Sequence, residues 1–331
     1  MDRRSFIAAG VALSASASNW SRAAAASTDR HQSTAYSAPQ LLVHIEDRLD
    51  YLRRVDDELG SGEVHKQASN ELSLAVRLIK AGRHTDNDLR RLYALAAEAA
   101  RQVAWTAFDQ SRFGIAQRYF DAALRASVQA DDTLTGAYAL SFAAIQCYST
   151  GQAGRAVALL DTARTQVKGK ATPRMEAMLA ARTARALSKT GAKSDTAHYL
   201  HLARTALDKG RHDDDPRSLY WVDYGEVEMI AGSSALDLGD PAEALRRFDA
   251  GMKAYPGDDE YPRTHAIYLA RAAEAHLALD DLDGAVAAAR HAAVCLSTVD
   301  SVRSASQLKG VRDKLLPHVH YRPVAEFLQG G

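Results

Sequence analysis

The side chains with the most obvious chemical potential are the histidines. His198 and His201 lie three apart, a spacing a helix can offer to a metal. No cysteine or acidic ligand joins them in sequence, and the same is true of His318 and His320, which flank Val319. No metal site is therefore expected. The acidic run His212-Asp213-Asp214-Asp215-Pro216 lacks the twelve-residue spacing and closing bidentate glutamate of a calcium loop. It reads as a solvated loop leading into a helix, because acids favour helix N-termini. Cys147 and Cys295 are far apart, each within an apolar helical stretch, and are expected as buried free thiols. There is no Gly-rich phosphate loop, no Gly-x-Ser-x-Gly elbow and no Cys/His nucleophile arrangement. No catalytic residue and no cofactor are expected, and the chain reads as a non-enzyme.

The elements that would position any site are helices. Of 331 residues 64 are alanine, with 20 glycines and 8 prolines, and only 7% are aromatic. Such a composition favours helix over sheet. Leu42, Ile45, Leu49, Leu52 and Val55 form one stripe at helical spacing, and Leu72, Val76 and Ile79 another. Short breakers separate the stripes, among them Gly60-Ser61-Gly62, Gly151-Gln152, Thr190-Gly191, Gly239-Asp240-Pro241 and Asp280-Asp281. Lys+Arg and Asp+Glu are both 41, so the basic excess of a free-standing nucleic-acid binder is missing. No apolar run reaches the ~18 residues that a membrane span needs.

The N-terminus is ambiguous. Arg3-Arg4, an apolar stretch from Phe6 to Leu13 and small-residue sites such as Ala23-Ala24-Ala25 resemble a twin-arginine export signal. A disordered Ala/Ser-rich leader is the plainer reading. Residues 1–37 are expected to be disordered in either case, with one folded domain over 38–329.

Repetition is the strongest signal. The segments beginning at Ser111, Gly151, Gly191, Gly239 and Asp280 each read as a turn followed by a helix start, with a small residue five positions on. Those small residues are Ala116, Ala156, Thr196, Ala244 and Ala285, spaced by 40, 40, 48 and 41. A small residue lets two antiparallel helices approach closely. Residues four and seven later, such as Phe120 and Ala123 or Phe248 and Gly251, share its face. One such hairpin cannot bury its apolar face alone, so neighbours must stack.

This repeat resembles the tetratricopeptide (TPR) repeat. The best copy runs from Glu228 to Pro256, with Gly232, Ala235, Gly239, Asp240, Ala244, Phe248 and Pro256 in register. The period exceeds the usual ~34 residues and implies longer helices. The expected fold is all-α: a TPR-like right-handed superhelical solenoid of about 14 antiparallel helices.

A wider resemblance covers roughly residues 40–329. Ala104 to Phe120, Leu219-Tyr220-Trp221-Val222-Asp223-Tyr224-Gly225-Glu226, Leu238 to Ala244 and the tail from Ser301-Val302-Arg303 to Leu328 are similar to actinobacterial transcriptional regulators. Those carry an N-terminal helix-turn-helix of the Cro/repressor (XRE) type before a TPR-like region. Here the Asp2-Arg3-Arg4-Ser5-Phe6 segment that joins the two domains in such regulators follows the initiator Met, and nothing matches a recognition helix. Sequence-specific DNA binding does not carry over.

The resemblance implies a non-catalytic regulatory, signal-sensing module that binds a peptide or protein partner in a concave groove. The partner could itself be a DNA-binding regulator. It also favours a cytoplasmic location over the alternative, an exported TPR-like scaffold. Groove positions then fall 18, 15, 11, 8 and 7 residues before each small residue. They offer Glu98, Arg101, Trp105, Phe108 and Asp109, then Tyr138 and Tyr148, Arg185 and Lys189, Glu226, and Glu274. Aromatic anchors give contact area at low entropic cost, and arginines pair with carboxylates. Trp105 could equally fill the inter-helix core with Asp109 capping a turn, and Tyr220-Trp221 reads as packing rather than binding.

Overall fold

The computed structural model describes residues 39–82, 84–254 and 261–330. The leader, its paired arginines and Pro256 lie outside the described residues. Fourteen α-helices make up the described chain. They are α1 (Pro39–Leu59), α2 (Ser61–Ala81), α3 (Asp86–Asp109), α4 (Phe113–Ala130), α5 (Thr133–Ser149), α6 (Ala153–Gln166) and α7 (Pro173–Ser188). The series continues with α8 (Lys193–Leu207), α9 (Tyr224–Asp237), α10 (Pro241–Ala254), α11 (Pro262–Leu277), α12 (Leu282–Leu296), α13 (Val302–Leu315) and α14 (Arg322–Gln329). Consecutive helices pack antiparallel as a TPR-like helical solenoid. None is long and apolar enough to cross a membrane.

Five hairpins, α3–α4 to α11–α12, carry the repeat, and their turns are built alike. The residue five before each small anchor takes a left-handed backbone: Ser111, Gly151, Gly191, Gly239 and Asp280, with φ between 58° and 79°. The next N–H returns to the carbonyl five residues back, as Arg112 to Ala107 (2.7 Å), Gln152 to Cys147 (2.8 Å) and Asp281 to His276 (3.0 Å). That bond closes the helix C-terminus in the manner of a Schellman motif. The opposite ends of the hairpins are capped by side chains. Thr85, Asp132, Thr172 and Asp223 accept from backbone N–H groups three residues on, starting α3, α5, α7 and α9.

The anchors do what the repeat requires. Ala116, Ala156, Thr196, Ala244 and Ala285 are all buried. The α9–α10 crossing is close: a Cβ on Gly232 would lie 2.7 Å from the Phe248 ring and 3.0 Å from the Ala244 carbonyl oxygen. Cys147 and Cys295 are both buried, and neither forms a disulfide among the described residues.

The solenoid curves until its ends meet. Asp300, before α13, donates its N–H to the Leu59 carbonyl and accepts from the Ser61 N–H, both at 3.0 Å. Gly60 sits between with φ 88°, and a Cβ there would be 2.3 Å from the Asp300 carbonyl oxygen. Glycine is required on both counts. Two arginines complete the seam. Arg263 of α11 reaches Asp56 (2.5 Å) and Asp57 (3.0 Å) of α1, and Arg303 of α13 reaches Asp109 of α3 (3.1 Å). The long α8–α9 connection, source of the 48-residue spacing, also crosses to α1, through Arg217 to Asp47 (3.0 Å) and Tyr220 to Asp57. The resemblance implied a concave groove; these contacts bound it into a hollow.

Candidate functional site

The hollow encloses about 660 Å³ on the concave side. The first helix of every hairpin lines it, and one register recurs in all five. Gln102, Phe142, Arg182, Ile230 and Arg271, each fourteen residues before its anchor, face it. Helical spacing explains this, since that position lies one turn from the residues 18 and 11 before the anchor.

The wall has a composition unlike the chain's. Ten of the chain's 23 aromatic residues line it, with eight arginines and lysines and only three acids. A chain of zero net charge has thus collected cations around one cavity.

Eight of the eleven residues expected at a groove line the hollow: Arg101, Trp105, Phe108, Tyr138, Tyr148, Arg185, Lys189 and Glu226. The other three stand behind the wall and hold its cations. Glu98 accepts from Arg101 and Arg53, each at 2.7 Å. Asp109 accepts from Arg303, and Glu274 from Arg271 and Lys314 (2.7 and 2.6 Å). Burial alone would raise the Glu98 carboxyl, but the guanidiniums of Arg101 and Arg53 outweigh it and hold it at about 2.

Trp105 both packs and lines. Its Nε1 donates to Asp56 at 2.9 Å, and the Arg263 and Arg303 guanidiniums lie 5.5 and 5.0 Å from its ring centroid. Asp57 is raised to about 6, chiefly by burial and further by Asp56, against the opposing pull of Arg263. Asp237 serves three cations: Arg185, Lys189 (3.0 Å) and Arg271 (2.6 Å). Burial works to raise its carboxyl, yet those cations keep it below the ordinary value. Tyr268 donates to Glu226 at 2.9 Å, with its own hydroxyl pushed well up by burial and by that carboxylate.

Several lining residues were not anticipated. Arg53, Asp56 and Asp57 belong to α1, which precedes the first repeat and so escapes any rule built on repeat register. Arg263 and Arg303 enter only because the ends meet. Tyr220 and Trp221, expected as packing, also line the hollow. Trp221 Nε1 donates to Tyr138 Oη at 3.3 Å, and Tyr138 Oη donates to the Ser218 carbonyl at 2.9 Å.

His198 and His201 are exposed on α8, and the described residues hold no group of three or more potential metal ligands. The arrangement gathers rings and charged groups around one cavity. It provides a recess with aromatic walls and fixed positive charge, which suits binding. The sequence matches no protein-family model and no curated protein.

Proposed function

We propose that this chain is a non-catalytic regulatory module that captures a ligand in its hollow and passes occupancy to a protein partner. The observation that carries this is the hollow itself: five hairpins, the α8–α9 connection and both ends of the solenoid contribute to one wall. Its volume falls within the roughly 300–1,000 Å³ typical of small-ligand sites. A compact ligand or a short peptide fits that space better than an extended protein segment. Occupancy would bear on the seam, because Arg263 and Arg303 belong both to the wall and to the contacts that join the ends. By the family resemblance the partner would be a DNA-binding regulator and the site of action the cytoplasm.

The test uses a variant that fills the hollow. Gly310 of α13 lines it, and a Cβ there meets nothing within 4 Å, so Gly310→Phe should add a ring at the wall and reduce the space. Native mass spectrometry of the protein mixed with a desalted metabolite and peptide extract should show a retained species that Gly310→Phe lacks. An adduct held equally by both proteins would contradict the reading, as would a promoter fragment shifted specifically by the chain alone at moderate salt.

A further inference from the structure

Arg182 of α7 differs from every other cation of the wall. It is 5% exposed, yet among the described residues no carboxylate forms an ion pair with it. Nη1 donates to Ser141 Oγ at 2.5 Å, and Ser141 Oγ in turn donates to the Tyr138 carbonyl. The guanidinium otherwise rests on rings, 4.2 Å from the Phe142 centroid and 4.9 Å from that of Trp221. Of its five N–H donors, that to Ser141 is the one with an acceptor among the described residues, and the residue faces the hollow.

The neighbouring cations are already served. Arg53 and Arg101 share Glu98, Arg263 holds Asp56 and Asp57, and Arg303 holds Asp109. Glu226 is near enough to act on Arg182 through space but forms no ion pair with it. Burial weakens the hold of Arg182 on its proton. A buried charge without a counter-ion is costly, and such charges persist where something else supplies the opposite sign.

We propose that Arg182 is the anion subsite of the hollow, and that it takes the carboxylate of a ligand whose adjoining flat, apolar group packs on the Phe142 and Trp221 walls. This rests on the hollow being the binding site. A guanidinium with no carboxylate in ion-pair contact among the described residues matches a monoanion, and its planar fork matches a carboxylate in geometry. The carboxylate could belong to a small aryl acid or to the C-terminus of a short peptide ending in an aromatic residue. Arg101, 4.6 Å from the same Phe142 centroid, adds a second positive charge to that corner.

Isothermal titration with two matched pairs tests this: 3-phenylpropanoate against its amide, and N-acetylphenylalanine against its amide. Wild-type protein should bind the acids at least tenfold more tightly than the amides. Arg182→Met should erase that gap while leaving the amides unchanged, and Arg182→Lys should keep part of it. Arg182→Gln serves as the neutral variant should Arg182→Met fail to fold. Binding of both acids identifies a small aryl acid as sufficient; binding of N-acetylphenylalanine alone identifies a peptide terminus. Equal binding of acid and amide, a preference that survives Arg182→Met, or no binding of either acid overturns the anion subsite. Equal acid and amide binding that Gly310→Phe abolishes removes the subsite but keeps the hollow. Binding that survives Gly310→Phe removes the hollow reading as well.

Discussion

At the scale of single residues, the five hairpin turns show backbone conformation deciding which residue type fits. Three of the five left-handed positions are glycine; Ser111 and Asp280 hold the same conformation with a side chain. A left-handed backbone costs an ordinary L-residue roughly 1–2 kcal/mol, and glycine escapes this while losing more chain entropy on folding. Asp280→Gly should therefore stabilise the protein by up to about 1 kcal/mol, read as a raised midpoint in urea unfolding. A lowered midpoint would mean that the Asp280 side chain supports the turn. These positions were legible in sequence because turn, anchor and face recur at fixed offsets. Arg182 was not. It stands one turn from the anticipated groove positions, and its distinction is a missing partner, which no spacing rule records.

At the scale of helices, the repeat rests on small residues at the crossings. Ala244 is fully buried where α10 meets α9, against a helix whose Gly232 has no room for a Cβ. Ala244→Leu should overpack this crossing at a cost of about 1–3 kcal/mol, seen as a melting temperature lower by several degrees. An unchanged melt would place the repeat register elsewhere. Helix number and order could be read ahead of the structure, since stripes and breakers alternate along the chain. The role of α1 could not. Its Leu42–Val55 stripe announced a helix, but nothing local says that Asp56, in line with that stripe, and Arg53 and Asp57 beside it meet α3, α11 and the α8–α9 connection. Glu98, Asp109 and Glu274 show the same limit. Their periodic register suggested a surface, while the ion pairs that turn them behind the wall depend on how the hairpins stack.

At the scale of the whole molecule, the solenoid resemblance implied curvature but not how far it runs. The difference lies in a few contacts far apart in sequence: Gly60 against Asp300, Arg263 on Asp56 and Asp57, and Arg303 on Asp109. They convert a groove into a bounded hollow and bring cations from α11 and α13 to face those of α3 and α7. The site therefore belongs to the closed form, which is the form expected in solution. Site-resolved amide hydrogen exchange tests it most directly. Ser61 opens α2, so its N–H has no partner within the helix and depends on the Asp300 carbonyl, just as the Asp300 N–H depends on Leu59. Both amides should be protected well beyond the intrinsic rate of an exposed turn; exchange at that unprotected rate would mean that the ends part and the hollow does not exist as described.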